Sequence, residues 1–259
     1  MRLTRHAAVR DLPGADPWPE WVPATARRRV DPLTRLACAA VEGVLAGRAP
    51  LDAQTAVVVA TSYGSVEATL RFIASVREFG DAGASPTPFT ASVHNACAGA
   101  LGELLGLHGA VTTISQGGTA TLAALRWAGL LLAAARAPAV LLVAGDRHTS
   151  WSIPVTAALS GARWPIGGGV AAWLLEAGED GPGRVVRSGR GPAARALAGA
   201  ALTAVDTALI GTAPCAADVL GAWWPTCLPC AVDLDDPSAV QLSEAEGGAR
   251  IEAWLGARR

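Results

Sequence analysis

The stretch from Ser85 to Ala124, SPTPFTASVHNACAGALGELLGLHGAVTTISQGGTATLAA, constrains the fold more than any other part of the chain. Residues 91–105 are rich in small side chains and read as a helix. Val111 to Ser115 is a short β-branched run, the composition of a strand. The pair Gly117-Gly118 then turns the chain into a second helix, Thr119 to Ala135, which is apolar nearly all the way round. A helix of that kind has no face suited to water and has to be buried. Ala139 to Ala144, AVLLVA, follows as another buried strand. Strand, buried helix and strand in this order predict parallel pairing with the helix packed on the sheet.

The flanking sequence extends the pattern. Asp31-Pro32 is a helix start, because Asp can cap and Pro suits the first helical position. Leu33, Leu36, Ala37, Ala40, Val41 and Val44 then recur at helical spacing, with Gly47 as the stop. Thr55 to Ala60 reads as a buried strand, Ser65 to Phe79 as a helix, and Gly80 to Pro88 as a Gly/Pro-rich loop. Residues 146–166 read as a long loop. Gly169 to Glu176 reads as a strand, followed by a glycine-rich turn and Val185-Val186. Residues 192–204 are expected to be helical, Thr207 to Ile210 a strand, and Glu244 to Ala257 a closing helix. Residues 11–29 hold four prolines and two tryptophans, so residues 1–29 are expected to form an extended arm on the surface.

Composition narrows the function. With 51% hydrophobic and 17% charged residues over 259 positions, the chain suits a well-buried α/β globule. The net charge is −1, which leaves no basic stripe to neutralise nucleic-acid phosphates. All 21 basic residues are arginine, so no lysine is available for Schiff-base or phosphate chemistry. The five cysteines, an odd number, and the lack of an apolar leader point to reduced thiols in a cytoplasmic protein. The longest apolar run, Leu122 to Ala135, contains Arg126 and is too short to span a bilayer.

Several blocks resemble β-ketoacyl synthases. The segment SPTPFTASVHNACAG, the turn Gly106-Leu107-His108-Gly109, the strand VTTIS, the strand VLLVAGD and the block GGGVAAWLLE occur in the order found in those enzymes. The resemblance covers residues 30–178. It is strongest to short proteins similar to the N-terminal half of a ketosynthase, which occur in aryl-polyene and xanthomonadin-type pigment pathways and look like truncated chain-length factors. It implies a thiolase-like α/β fold with a mostly parallel sheet, a buried helix and covering helices. The chain would be one truncated domain with a divergent C-terminal part, residues 179–259.

An ungapped count from Gly109 places the family's nucleophilic cysteine at Gly118, which has no side chain to acylate. The family's two catalytic histidines lie in its C-terminal half, yet this chain has no histidine after His148. The resemblance therefore implies a subunit without its own condensing chemistry. It would pair with a full-length β-ketoacyl synthase, with an acyl carrier protein as a further contact for which Arg27 to Arg29 are candidates. No cofactor and no metal are expected. Residues 179–259, with Trp223, Trp224 and Trp254, are expected to help cover the exposed half-core.

Candidate tunnel or interface residues are Phe89, His94, Asn95, Ala98, Gly99, Thr113, Ser115 and Gln116, beside the degenerate turn of Gln116, Gly117 and Gly118. Ala96 and Ala100 extend the same small-residue face. Gln116 has two readings: an amide reaching a partner's tunnel, or a strand-end residue bonding to turn backbone. His94 and Asn95 either line the interface or bond locally. An acyltransferase or hydrolase using Ser115, Cys97 or His148 is the alternative, although no G-x-S-x-G elbow is present. A stand-alone acyl or carrier-protein binding module is another. Asp146-Arg147-His148-Thr149 reads as a surface loop. Cys227 and Cys230 form a CxxC without the second ligand pair of a zinc ribbon or a thioredoxin context, and read as structural thiols.

Overall fold

The computed structural model describes residues 2–10, 18–61, 63–115, 120–147, 149–150, 169–178, 187–188, 227–232, 240–246 and 249–255. The main body runs β1 (Arg2–Arg10), α1 (Ala24–Arg27), α2 (Pro32–Leu45), β2 (Ala56–Thr61), α3 (Val66–Gly83), α4 (Pro86–Ser92), α5 (Ala96–Leu105), β3 (Val111–Ser115), α6 (Ala120–Ala133), β4 (Ala139–Asp146) and β5 (Gly169–Glu176). Five of these strands form one sheet in the order β1-β5-β4-β2-β3. β2 pairs in parallel with both β3 and β4, while β4–β5 and β5–β1 are antiparallel. The sheet is thus mixed, with its parallel part at the β3 end.

The period-two alternation of the strands divides the core between two faces. Val58, Leu142 and Trp173 pack with Ala124, Leu125 and Ala128 of α6 on one side. Val57, Val59, Leu141 and Leu174 pack with Leu36, Val41 and Leu101 of α2 and α5 on the other. α2 starts where its sequence directs: Asp31 accepts a hydrogen bond from the Thr34 amide at 3.1 Å, with Pro32 in the first turn. The turn into β3 depends on Gly109. A Cβ there would lie 2.4 Å from the Gln54 carbonyl oxygen and 2.5 Å from that of Thr55.

Three parts depart from the sequence expectation. The supposed arm begins with β1, an edge strand whose Thr4 hydroxyl donates to the Leu174 carbonyl. Ala7 and Val9 of β1 pack against the core, and the interleaved arginines and histidine disguise the strand in sequence. Gly80 to Pro88 is not a plain loop: α3 continues to Gly83 across a kink at Gly80, and α4 begins at Pro86. The helix expected from residue 91 is broken at Val93 to Asn95, so α5 starts at Ala96.

The closing helix is also replaced. β6 (Arg187–Ser188), β7 (Cys227–Val232), β8 (Val240–Glu246) and β9 (Ala249–Leu255) form a second sheet, β6-β9-β8-β7. Residues 249–255, ARIEAWL, alternate with period two, and Gly247-Gly248 between β8 and β9 is a hairpin dipeptide in sequence. β8 and β9 pair antiparallel from Glu246↔Ala249 to Val240↔Leu255. β9, which carries Trp254, lies against α6. The expected elements at 192–204 and 207–210, the Val185-Val186 pair, and Trp223 and Trp224 lie outside the described residues.

Candidate functional site

The parallel strands bring Thr61, Ser115 and Asp146 to the same C-terminal edge of the sheet, where open α/β sheets bind ligands. Thr61 is in register with Ser115. Asp146 belongs to β4 and is 1% exposed, so it is not part of the expected surface loop. Its Oδ1 accepts from the Thr61 hydroxyl at 2.5 Å and from the Tyr63 amide at 2.9 Å. Thr61 Oγ1 in turn accepts from the Gly64 amide at 2.8 Å. One buried carboxylate therefore fixes the turn after β2. Arg147, next in sequence, forms an ion pair with Glu67 at the start of α3. The sequence signal was weak: a threonine and an aspartate that end two apolar strands 85 residues apart.

His94 lies over this turn. Gly64 has φ +59°, and a Cβ there would sit 2.8 Å from His94 Nδ1. His94 and Asn95 are exposed in the break between α4 and α5. Gln116, Gly117, Gly118 and His148 lie outside the described residues.

Among the described residues β3 is an edge strand of the sheet, at the opposite end from β1. The Val57 amide donates to the Ala110 carbonyl, and Val57 pairs with Val111. In a parallel ladder this turns the amides and carbonyls of Val111, Thr113 and Ser115 away from β2. Val111 is 43% exposed and Ser115 is exposed, whereas Thr113 is partly buried and its hydroxyl has no partner. α5 packs on β3, α4 on α5 and α3 on α4, and these outer helices carry further exposed apolar side chains: Ile73 and Phe79 on α3, Phe89 on α4, and Val93 after it. Phe89 is in a helix rather than a loop, 52% exposed, with its ring 5.2 Å from that of Phe72. Ala98 is a correction. It is fully buried in the chain's own core and presents nothing to a partner, while its neighbour Gly99 is exposed.

The buried thiols are poorly suited to nucleophilic chemistry. Cys97 is 2% exposed on α5; burial first, then the Asp31 carboxylate, push its pKa well above the usual thiol range. Cys38 on α2 is pushed up to about 12 by the same two causes. Ser115 has no hydrogen bond to a histidine among the described residues. Cys227 and Cys230 both fall in β7, not at a helix start. Among the described residues no cluster of His, Cys, Asp or Glu could hold a metal ion, and no helix is long and apolar enough to cross a membrane.

The sequence model of the family described as β-ketoacyl synthase, N-terminal domain, matches residues 5–154. The chain belongs to that family. The match runs from within β1 to residue 154, between β4 and β5. The ketosynthase-like chain is similar in fold to "The ishigamide ketosynthase/chain length factor", with 23% identity, 75% of this chain and 59% of that chain covered, and a TM-score of 0.59. It is similar to the ketosynthase ApeO in complex with its chain length factor ApeC from Xenorhabdus doucetiae, at 16% identity, 97% and 98% coverage and a TM-score of 0.62. A β-ketoacyl synthase from Burkholderia phymatum STM815 gives 16% identity, 95% and 87% coverage and a TM-score of 0.61. The chain thus spans less than two thirds of the ishigamide protein but nearly all of its match in the Xenorhabdus complex. At these identities the likeness is one of fold, and the fold is that of ketosynthases. A search of curated proteins found no match.

Proposed function

We propose that the chain is a non-catalytic subunit of the chain-length-factor type. It pairs with an active β-ketoacyl synthase and helps to shape that enzyme's acyl tunnel. The observation that carries the reading is the open β3 edge, which leads into the degenerate nucleophile position and is accompanied by exposed Phe89, Val93 and Val111. An edge strand with apolar neighbours is a surface built for pairing. Gly118, where an ungapped count puts the family's cysteine, supports a silent partner rather than an enzyme. Solved ketosynthase–chain length factor assemblies of similar fold support the class of partner. An acyl carrier protein is the expected second contact, in a pathway making aryl-polyene or fatty-acid-like chains.

The test is co-expression with a full-length ketosynthase that carries the cysteine and both histidines. The two chains should co-purify, and only the pair should extend an acyl primer with malonyl-carrier protein. Thr113→Pro should abolish pairing. The Thr113 amide faces away from β2, so the change blocks the edge while sparing the internal ladder. A chain that stays monomeric beside its ketosynthase, or condensation by the isolated chain that is lost in Cys97→Ala, would overturn the reading.

A further inference from the structure

A cavity of about 520 Å³ lies among α1, the start of α2, and helices α4 and α5. Ala96, Ala100 and Leu104 give it an apolar wall, and Asp31, Glu103 and Arg29 are its charged groups. Asp31 is 6% exposed. Its Oδ1 accepts from both the amide and the hydroxyl of Thr34, but its Oδ2 accepts no hydrogen bond. No basic side chain pairs with this buried carboxylate among the described residues, although buried aspartates are nearly always paired. Arg29 is exposed and forms no ion pair with Asp31 or Glu103. The lining thus holds two carboxylates against one guanidinium.

We propose that this cavity binds a cationic group on a short alkyl stem, an alkylguanidinium or alkylammonium. The stem lies along Ala96, Ala100 and Leu104, and the charge meets Asp31 Oδ2 with Glu103 at the rim. The size suits such a ligand, since binding cavities run from about 300 to 1,000 Å³. Charge-assisted bonds to a carboxylate are stronger than neutral ones. The site lies within this chain and stands whether or not the chain pairs with a ketosynthase.

The test is titration of the full chain with n-butylguanidinium and n-butylammonium, followed by NMR, with butyrate as the anionic control. The cations should bind saturably and butyrate should not. Asp31→Asn keeps a good cap for α2 and should weaken cation binding at least about tenfold. Glu103→Gln, at an exposed position, should weaken it about threefold without affecting the fold. No saturable cation binding, equal binding of butyrate, or unchanged affinity in a folded Asp31→Asn protein would each overturn the proposal. Repeating the titration on the complex with a ketosynthase identifies the source of the natural cation. Loss of probe binding there means a basic side chain of the partner fills the site, and retained binding means a free small-molecule cation does.

Discussion

Asp146, at the end of β4, accepts a 2.5 Å hydrogen bond from the Thr61 hydroxyl at the end of β2, and so ties together two neighbouring parallel strands at the edge of the candidate site. Asp146→Ala should leave the Thr61 hydroxyl and the Tyr63 amide without their acceptor. A buried group left unpaired costs about 1–3 kcal/mol. Chemical denaturation should show a loss of that size. Thr61→Val combined with Asp146→Ala should lose less than the sum of the two, because both changes remove the same bond. Strict additivity would mean that the bond does not hold the strands.

Phe89 should behave as a surface aromatic and not as core. Half-exposed and paired with Phe72, it contributes about 0.5–1.5 kcal/mol through that pair. Phe89→Ala should therefore lower stability by only about 1–2 kcal/mol, against about 2–5 kcal/mol for the fully buried control Leu101→Ala. In the complex with a ketosynthase, the same variant should shift product mass spectra toward longer chains with little change in condensation rate. Uniform loss of all products, together with a large drop in Tm, would remove Phe89 from the tunnel.

The buried thiols should set an alkaline limit on stability. Cys38 rises from 9.0 to about 12 on folding, so between those values the unfolded chain has released a proton that the folded chain still holds. Stability from this group is complete below about pH 9 and falls as pH rises toward 12, because unfolding is linked to proton release. Cys97 acts in the same direction. Urea midpoints should decline above pH 9, and Cys38→Ala should flatten that decline relative to its own value at pH 7. At pH 8, mass mapping after iodoacetamide should find Cys38 and Cys97 unmodified until the chain is unfolded. Rapid native labelling of Cys97 would reopen the nucleophile reading.

Restoring a thiol alone should not create an enzyme. On the proposed reading, Gly118→Cys supplies a thiol at the position that an ungapped count assigns to the nucleophile, and residues 149–259 hold no histidine to act with it. The variant should neither decarboxylate malonyl-carrier protein nor form a carbon–carbon bond in a discontinuous assay by mass spectrometry. Turnover in Gly118→Cys would show that the histidine chemistry is supplied elsewhere in the chain.

Sequence alone determined the local units whose signals are local: the Asp31-Pro32 start of α2, the apolar strands read at 55–60 and 139–144, and the place of α6, though not its full burial, since Trp127 and Leu130 on it are exposed. These rest on periodicity, capping and residue identity, which a window of a few residues displays. Tertiary structure decided the rest. β1 is a strand only because β5 offers it an edge, and its interleaved arginines hide that in sequence. Ala98 and Gly99 are adjacent small residues, yet α5 packs one into the core and leaves the other to solvent. Asp146 looks like a loop acid until the parallel register brings it to Thr61. The cavity beside Asp31 joins residues some 70 positions apart through the packing of α2 against α5. Each of these depends on which faces meet across long chain separations, and that free energy of packing has no signature within any single segment.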